Sequence, residues 1–163
     1  MEGWRIEKNA ENKLKIFVDA DACPVKDEIL SAADSFGAEP VFVASYNHMT
    51  TAARGETWVY VDTDKESADL YIVNHSKKGD VVVTQDIGLA GLLLKKGVIV
   101  LSTRGKHYTD ENIETALQYR YLSAKGRREG IYSKGPKAFS KDDRRMFMES
   151  LENILSNLAG FPR

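Results

Sequence analysis

The sequence has one cysteine, Cys23, no apolar run close to the ~20 residues of a membrane-spanning helix, and a net charge of only −1. A single cysteine excludes a disulfide within the chain and is typical of proteins from reducing compartments. Residues 1–13 are polar and of mixed charge, unlike a secretory signal. We therefore expect a cytoplasmic protein with no membrane partner.

What the chain does have is a core-forming composition and a regular alternation of elements. Of its 163 residues, 42% are hydrophobic, which fits one domain over 1–163. Apolar runs predict strands at 14–20, 40–45, 57–61, 80–85 and 98–102, with helices between most of them. Strands alternating with helices indicate an α/β protein whose sheet is mainly parallel.

Glycine, proline and capping residues set the predicted helix ends. Pro24 is expected at the first position of a helix that Gly37 ends, and a second helix is expected to run from about residue 65 to Gly79. Thr109 is a candidate cap for a helix over 110–124. Residues 125–137 predict a mobile basic loop, and a last helix is expected from Ser140 to 158.

Carboxylates follow two of the predicted strands. Asp19 and Asp21 come after the first strand, and Asp86 follows the fourth with Thr84 two residues before it. Ligands of open parallel sheets bind beyond the carboxyl ends of the strands, so we expect these side chains to share one edge. Convergent carboxylates favour Mg²⁺ or Mn²⁺, although each of these residues could instead cap a turn or helix.

Charge is divided unevenly along the chain. Residues 1–100 hold 11 Lys/Arg and 16 Asp/Glu, a charge of −5, whereas residues 101–163 hold 12 and 8, a charge of +4. This division indicates an acidic metal site next to a phosphate-binding surface, or else an ordinary solvated helix face.

Five segments, in order, carry a family resemblance: "VDADACPVKDEI", "ESADLYIV", "GDVVVTQDIGLA", "STRGKHYTDENI" and "GPKAFSKDDRRMFMESLENIL". Over about 15–158 the chain resembles the bacterial YaiI/YqxD family, which is usually placed beside the PIN-like nucleases. The resemblance implies a three-layer α/β/α fold with C-terminal helices and metal-dependent cleavage of RNA.

In the PIN-like pattern, Asp19 matches the acid after the first strand, Asp69 the acid of a middle helix with Glu66 as second choice, and Asp86 with Thr84 the "T-x-D" segment. The acid expected after the next strand is missing, since "VLSTRGK" stands there. Asp21 could supply its charge, Arg104 could bind a phosphate there, or the site could have lost catalytic strength.

The leading prediction is a nuclease in which Asp19, Asp69 and Asp86 hold Mg²⁺ or Mn²⁺, Asp21 assists, and Thr84 supports a ligand or positions water. The residues predicted to grip an RNA backbone are Arg104, Lys134, Lys137, Lys141, Arg144 and Arg145. For Arg144 and Arg145 the alternative is that they form exposed ion pairs with acidic residues of their own helix.

Two other functions stay open at this point. A non-catalytic nucleic-acid-binding or regulatory module would explain the missing acid. A haloacid-dehalogenase-type phosphatase would use Asp19 as nucleophile and Asp21 as acid and base. Association of copies of the chain with one another is also left open.

Overall fold

The computed structural model describes residues 13–48, 54–64, 66–132, 135 and 137–159. Its strands are β1 (Lys15–Asp19), β2 (Glu39–Ser45), β3 (Thr57–Val61), β4 (Val81–Val83), β5 (Ile99–Leu101) and β6 (His107–Tyr108). Its α-helices are α1 (Lys26–Phe36), α2 (Ser67–His75), α3 (Ile87–Lys95), α4 (Asp110–Arg128) and α5 (Lys141–Leu158). A 3₁₀ turn follows β2 at Tyr46–His48. Residues 1–12 of the polar N-terminal segment lie outside the described part.

The six strands form one sheet in the order β3-β2-β1-β4-β5-β6. All neighbouring pairs are parallel except β5 and β6, which are antiparallel. The chain moves outward from β1 to β3, then returns to the other side of β1 and moves outward again from β4. The point between β1 and β4 is therefore the topological switch point, where ligands of open α/β sheets bind.

Helices cover both faces of the sheet. On one face, the buried side chains of Ile16 and Val18 pack with α1 and α5, including Phe147 and Leu155. On the other face, Phe17 packs with residues of α2, α3 and α4. Because adjacent side chains of a strand point to opposite faces, β1 reads as a continuous apolar run. The predicted three-layer α/β/α architecture with a mainly parallel sheet is confirmed.

Two helix boundaries differ from those predicted. Pro24 is not the first helical residue, because Val25 occupies the N-cap position and α1 begins at Lys26. The end of α1 is as predicted, with Gly37 in the left-handed conformation at φ 69°. The second helix ends at His75, before Gly79, since Ser76 already has extended backbone angles.

The region after β5 departs further from the prediction. The short β6 was not predicted, and α4 runs to Arg128, so residues 125–128 are helical and do not belong to a loop. Thr109 does cap α4, and Ser140 caps α5, each in a reciprocal capping box. Lys134 lies outside the described residues. No helix in the described part is long and apolar enough to cross a membrane.

Candidate active site

The hydroxyl of Thr84 joins the ends of the two central strands. Asp19 is the last residue of β1, and Thr84 follows β4 directly. The Thr84 Oγ1 donates to Oδ2 of Asp19 over 3.1 Å and accepts from the backbone N of Asp86 over 3.0 Å. Thr84 is only 1% exposed, so these bonds form away from bulk water. The predicted meeting of Asp19, Thr84 and Asp86 at one edge is thus what the structure has.

Asp86 also caps the helix that follows it. Its Oδ1 accepts from the backbone N of Leu89 over 3.1 Å, which satisfies one free amide of the first turn of α3. Helix capping was the purely structural explanation for Asp86, and the structure confirms that Asp86 is a cap. It accounts for one carboxylate oxygen only.

Asp69 reaches the same place from the first turn of α2. Burial, then repulsion from Asp86 and Asp19, and then a hydrogen bond with the Asp86 carboxyl raise the pKa of Asp69 to about 6. Three carboxyl groups from separate segments therefore interact at the switch point. We call Asp19, Asp69 and Asp86 the acidic cluster.

The pKa of Asp19 is raised as well. Burial is the largest cause, and repulsion from Asp21 and Asp86 adds to it, while the hydrogen bond from Thr84 acts in the opposite direction. Raised pKa values are expected where carboxyl groups gather in a partly dehydrated place.

The donor chemistry of the acidic cluster suits a hard divalent cation, because all its ligands would be carboxylate oxygens. A cation would also offset the repulsion that, after burial, raises the pKa values of Asp19 and Asp69. As the side chains stand, no group of three or more His, Cys, Asp or Glu residues among those described is arranged to hold a metal ion. The chemistry fits, and ligation would require the side chains to turn towards one point.

Asp21 is bound to the end of β2. Its Oδ1 accepts from the backbone N of Ser45 over 2.9 Å and from the Ser45 hydroxyl over 3.4 Å. These bonds fix the loop that carries the residues between β1 and α1. The roles predicted for Asp21, in assisting a cation site or as the acid and base of a phosphatase, stay predictions.

The end of β5 is occupied by a turn. The Ser102 hydroxyl accepts from the backbone N of Arg104 over 3.3 Å and of Lys106 over 3.0 Å. Arg104 itself pairs with Asp143 of α5 over 2.7 Å and donates to the carbonyl of Lys137. The segment in which the PIN-like pattern has an acid therefore connects the sheet to the start of α5 in this chain.

The other arginines predicted to bind RNA also have partners. Arg144 contacts Glu28 over 2.8 Å, and Arg145 contacts Glu149 over 3.0 Å. Lys137 and Lys141 are exposed. The prediction that this surface binds RNA stays a prediction, and its guanidinium groups would have to leave their present partners to contribute.

One basic residue at the site was missed by the sequence analysis. Arg120 of α4 brings its Nη1 to 3.6 Å from Oδ1 of Asp86. The signal was present in the spacing, because Arg120 lies seven residues after Ile113 and three after Leu117, on the helix face that packs against the core. A charged residue on an otherwise apolar helix face indicates either the end of the helix or a contact with another polar group.

The fold and the site together define a class: a three-layer α/β/α protein with carboxylates from separate segments gathered at the switch point of its sheet. The family described as "Uncharacterized BCR, YaiI/YqxD family" matches residues 17–157 of the chain. The protein belongs to this family, as its sequence motifs predicted.

Curated relatives cover nearly the whole chain. A UPF0178 protein of Bacillus velezensis is 55% identical over 161 residues, 98% of this chain and 96% of the relative. A UPF0178 protein of Bacillus cytotoxicus is 57% identical over 150 residues, 92% of this chain and 98% of the relative. One from Listeria monocytogenes is 53% identical over 143 residues, 88% and 98% of the two chains. No solved structure matches the chain.

Proposed function

We propose that this protein is a nuclease that uses Mg²⁺ or Mn²⁺ to hydrolyse phosphodiester bonds of RNA. The observation that carries the proposal is the convergence of Asp19, Asp69 and Asp86 at the switch point, with Thr84 joining two of them. Like charges brought together in this way destabilise a fold unless a cation compensates them. The resemblance to PIN-like nucleases supports RNA as the substrate.

Asp19, Asp69 and Asp86 would hold the cation, which when bound polarises a phosphodiester and lowers the pKa of a water molecule. Thr84 fixes the orientation of Asp19 by donating to its Oδ2, which leaves Oδ1 for a ligand. The amide of Leu89 fixes Asp86 in the same way. Asp69 would approach the cation from the first turn of α2, and the cation would offset the repulsion from Asp86 and Asp19 that, after burial, raises the pKa of Asp69.

The test is cleavage of end-labelled single-stranded RNA with Mn²⁺, with Mg²⁺ and with EDTA. Wild type is compared with Asp19→Asn and Asp86→Asn. Asparagine caps helices as well as aspartate does, so Asp86→Asn removes the charge and preserves the start of α3. We expect cation-dependent cleavage by wild type that both variants lose. Equal cleavage by all three proteins would reveal a contaminant and refute the proposal.

A second candidate is a non-catalytic RNA-binding module. It is favoured by the end of β5, where Ser102 and Arg104 serve a turn and an ion pair in the place of an acid. The same experiment separates the two candidates. Binding that weakens with salt, without cleavage under either cation, would replace the nuclease by the binding module.

A further inference from the structure

We infer that Arg120 binds a phosphate group of the substrate strand beside the acidic cluster, and that Gly88 keeps the space in which its guanidinium lies. The inference rests on the proposed function, which it deepens by assigning the residue that holds the phosphate. Arg120 would be a substrate-binding residue on α4, a helix to which the sequence motifs gave no role.

The packing of α4 on α3 sets the position of Arg120. A Cβ built on Gly91 would lie 3.6 Å from Cδ1 of Leu117, and one built on Gly88 would lie 2.5 Å from Nη1 of Arg120. Moving back along α3 from Gly91 to Gly88 thus moves the contact forward along α4 from Leu117 to Arg120. The two helices are therefore antiparallel. Arg120 consequently lies level with the first turn of α3, at the edge of the sheet where Asp86 is.

Gly88 is the reason that Arg120 can come so close. Any side chain at this position would place a Cβ 2.5 Å from Nη1 of Arg120 and 3.2 Å from Oδ1 of Asp86, and the first distance is too short for a stable contact. Glycine in the first turn of a helix otherwise costs stability relative to alanine. The cost is explained if the space is used by the guanidinium.

The contact between Arg120 and Asp86 leaves the guanidinium available for a ligand. At 3.6 Å it is an ion pair beyond hydrogen-bond distance, and the Arg120 side chain is 54% exposed. In the described part of the chain, no hydrogen bond from this guanidinium is formed, whereas Arg104 and Arg144 donate to carboxylates over 2.7 and 2.8 Å. Five N–H donors next to a carboxylate site suit the oxygens of a phosphate.

The rest of α4 extends the same surface. Residues 121–128 continue beyond the level of the first turn of α3 for about 12 Å, at 1.5 Å per residue. Lys125, Arg127 and Arg128 are exposed on this part of the helix. A strand whose phosphate binds Arg120 would therefore pass along a basic helix end, which favours an extended single strand as the ligand.

The experiment measures binding of a labelled single-stranded RNA by fluorescence anisotropy over a range of salt concentrations, with Ca²⁺ as the oxygen-liganded cation. For Arg120→Ala we expect an affinity loss of about ten-fold or more, since hydrogen bonds to charged groups are worth at least that factor. The slope of log K against log salt should fall by about 0.7, the value for one phosphate contact with a single strand. Arg120→Lys should keep the slope and recover part of the affinity.

Glycine variants provide the matched control. Gly88→Ala should displace the guanidinium from its present position and lower the affinity by part of the loss caused by Arg120→Ala, and it should add no further loss to that of Arg120→Ala when the two changes are combined. Gly91→Ala adds the same methyl group one turn later, at an ordinary contact distance from Leu117, and should bind like wild type. Thermal unfolding of each variant checks that the fold is kept.

An unchanged salt slope in Arg120→Ala, additive losses in the double variant, or no binding of RNA by wild type would each overturn the inference. The outcome is separate from that of the cleavage test. Wild type that cleaves RNA while Arg120→Ala binds it normally would refute the role of Arg120 alone. A reduced slope in Arg120→Ala, with no cleavage by wild type under Mn²⁺, would refute the nuclease and keep the phosphate site.

Discussion

Replacing Asp69 with asparagine should stabilise the protein at alkaline pH and leave its stability at acid pH nearly unchanged. The pKa of Asp69 rises from 3.8 to about 6, first through burial and then through repulsion from Asp86 and Asp19. Between a pH of about 3.8 and about 6, the folded state therefore holds a proton on Asp69 that the unfolded state has released. The stability associated with that proton is complete below about 3.8 and is lost as the pH rises through about 6.

The magnitude follows from the size of the shift. At roughly 1.4 kcal/mol per pKa unit, a rise of about two units sets an upper limit near 3 kcal/mol. Asp69 is only partly buried, and water screens its repulsion, so we expect a gain on the order of 1 kcal/mol. For a chain of this length, that corresponds to about 2–4 °C in Tm. The asparagine amide can still donate to Asp86, so the hydrogen bond is not lost.

The assay is urea unfolding of wild type and Asp69→Asn in EDTA, at about pH 4 and about pH 8. The variant should be the more stable protein at the higher pH, and the difference should shrink towards zero at the lower pH. Asp34→Asn, at an exposed position of α1, serves as the control and should change little at either pH. The same difference at both pH values, or a less stable variant at the higher pH, would refute the electrostatic reasoning.

Two further predictions concern the frame around the site. Gly105→Ala should destabilise the protein by several kcal/mol, because its Cβ would lie 2.7 Å from a backbone oxygen of α5 at a φ of +89°. Gly130→Ala, at a similar φ with open space around it, should cost about 1 kcal/mol, and equal losses in urea unfolding would contradict the packing argument. Thr84→Val should cost about 1–3 kcal/mol, since it leaves the amide of Asp86 and the carboxylate of Asp19 without their shared partner. Thr84→Ser keeps the hydroxyl and should cost clearly less in the same measurement.

The sequence was most informative where local rules decide the structure. β1 and β4 are continuous apolar runs because both faces of the sheet are covered, and β3 has the predicted bounds. The caps of α4 and α5 were predictable because Thr109 and Ser140 bind amides within their own first turns. Once the parallel order of strands is accepted, the meeting of Asp19 and Asp86 follows from topology.

The failures lie where partners are distant in sequence. β6 has two residues, and only its pairing with β5 makes it a strand. The last turn of α4 contains Gly126 and three basic residues, a composition typical of loops, yet the chain remains helical to Arg128. There the backbone N of Ile131 donates to the carbonyl of Gly126 over 2.7 Å and closes the helix end.

The basic segment before α5 illustrates the same limit. Arg104 and Arg144 were grouped by their charge as RNA contacts. In the fold both guanidinium groups approach the ring of Phe139, at 5.6 and 5.2 Å from its centroid, and each has a carboxylate partner. Their charges help to attach the start of α5 to the rest of the protein, a role that depends on contacts about 40 to 120 residues apart. The contact between Gly88 and Arg120 likewise joins two helices that are separated in the sequence.

The acidic cluster is the part of the fold that stability alone does not explain. An asparagine or serine would cap α3 as well as Asp86 does, and would carry no charge. The dipole of α2 favours Asp69 in its first turn by about 0.3–1 kcal/mol, but burial and two neighbouring carboxylates oppose that gain enough to raise its pKa to about 6. Asp19 is opposed in the same direction by its own burial. A bound cation is not needed to build this sheet. Only positive charge, from a cation together with the Arg120 guanidinium beside Asp86, would turn these repulsions into binding energy.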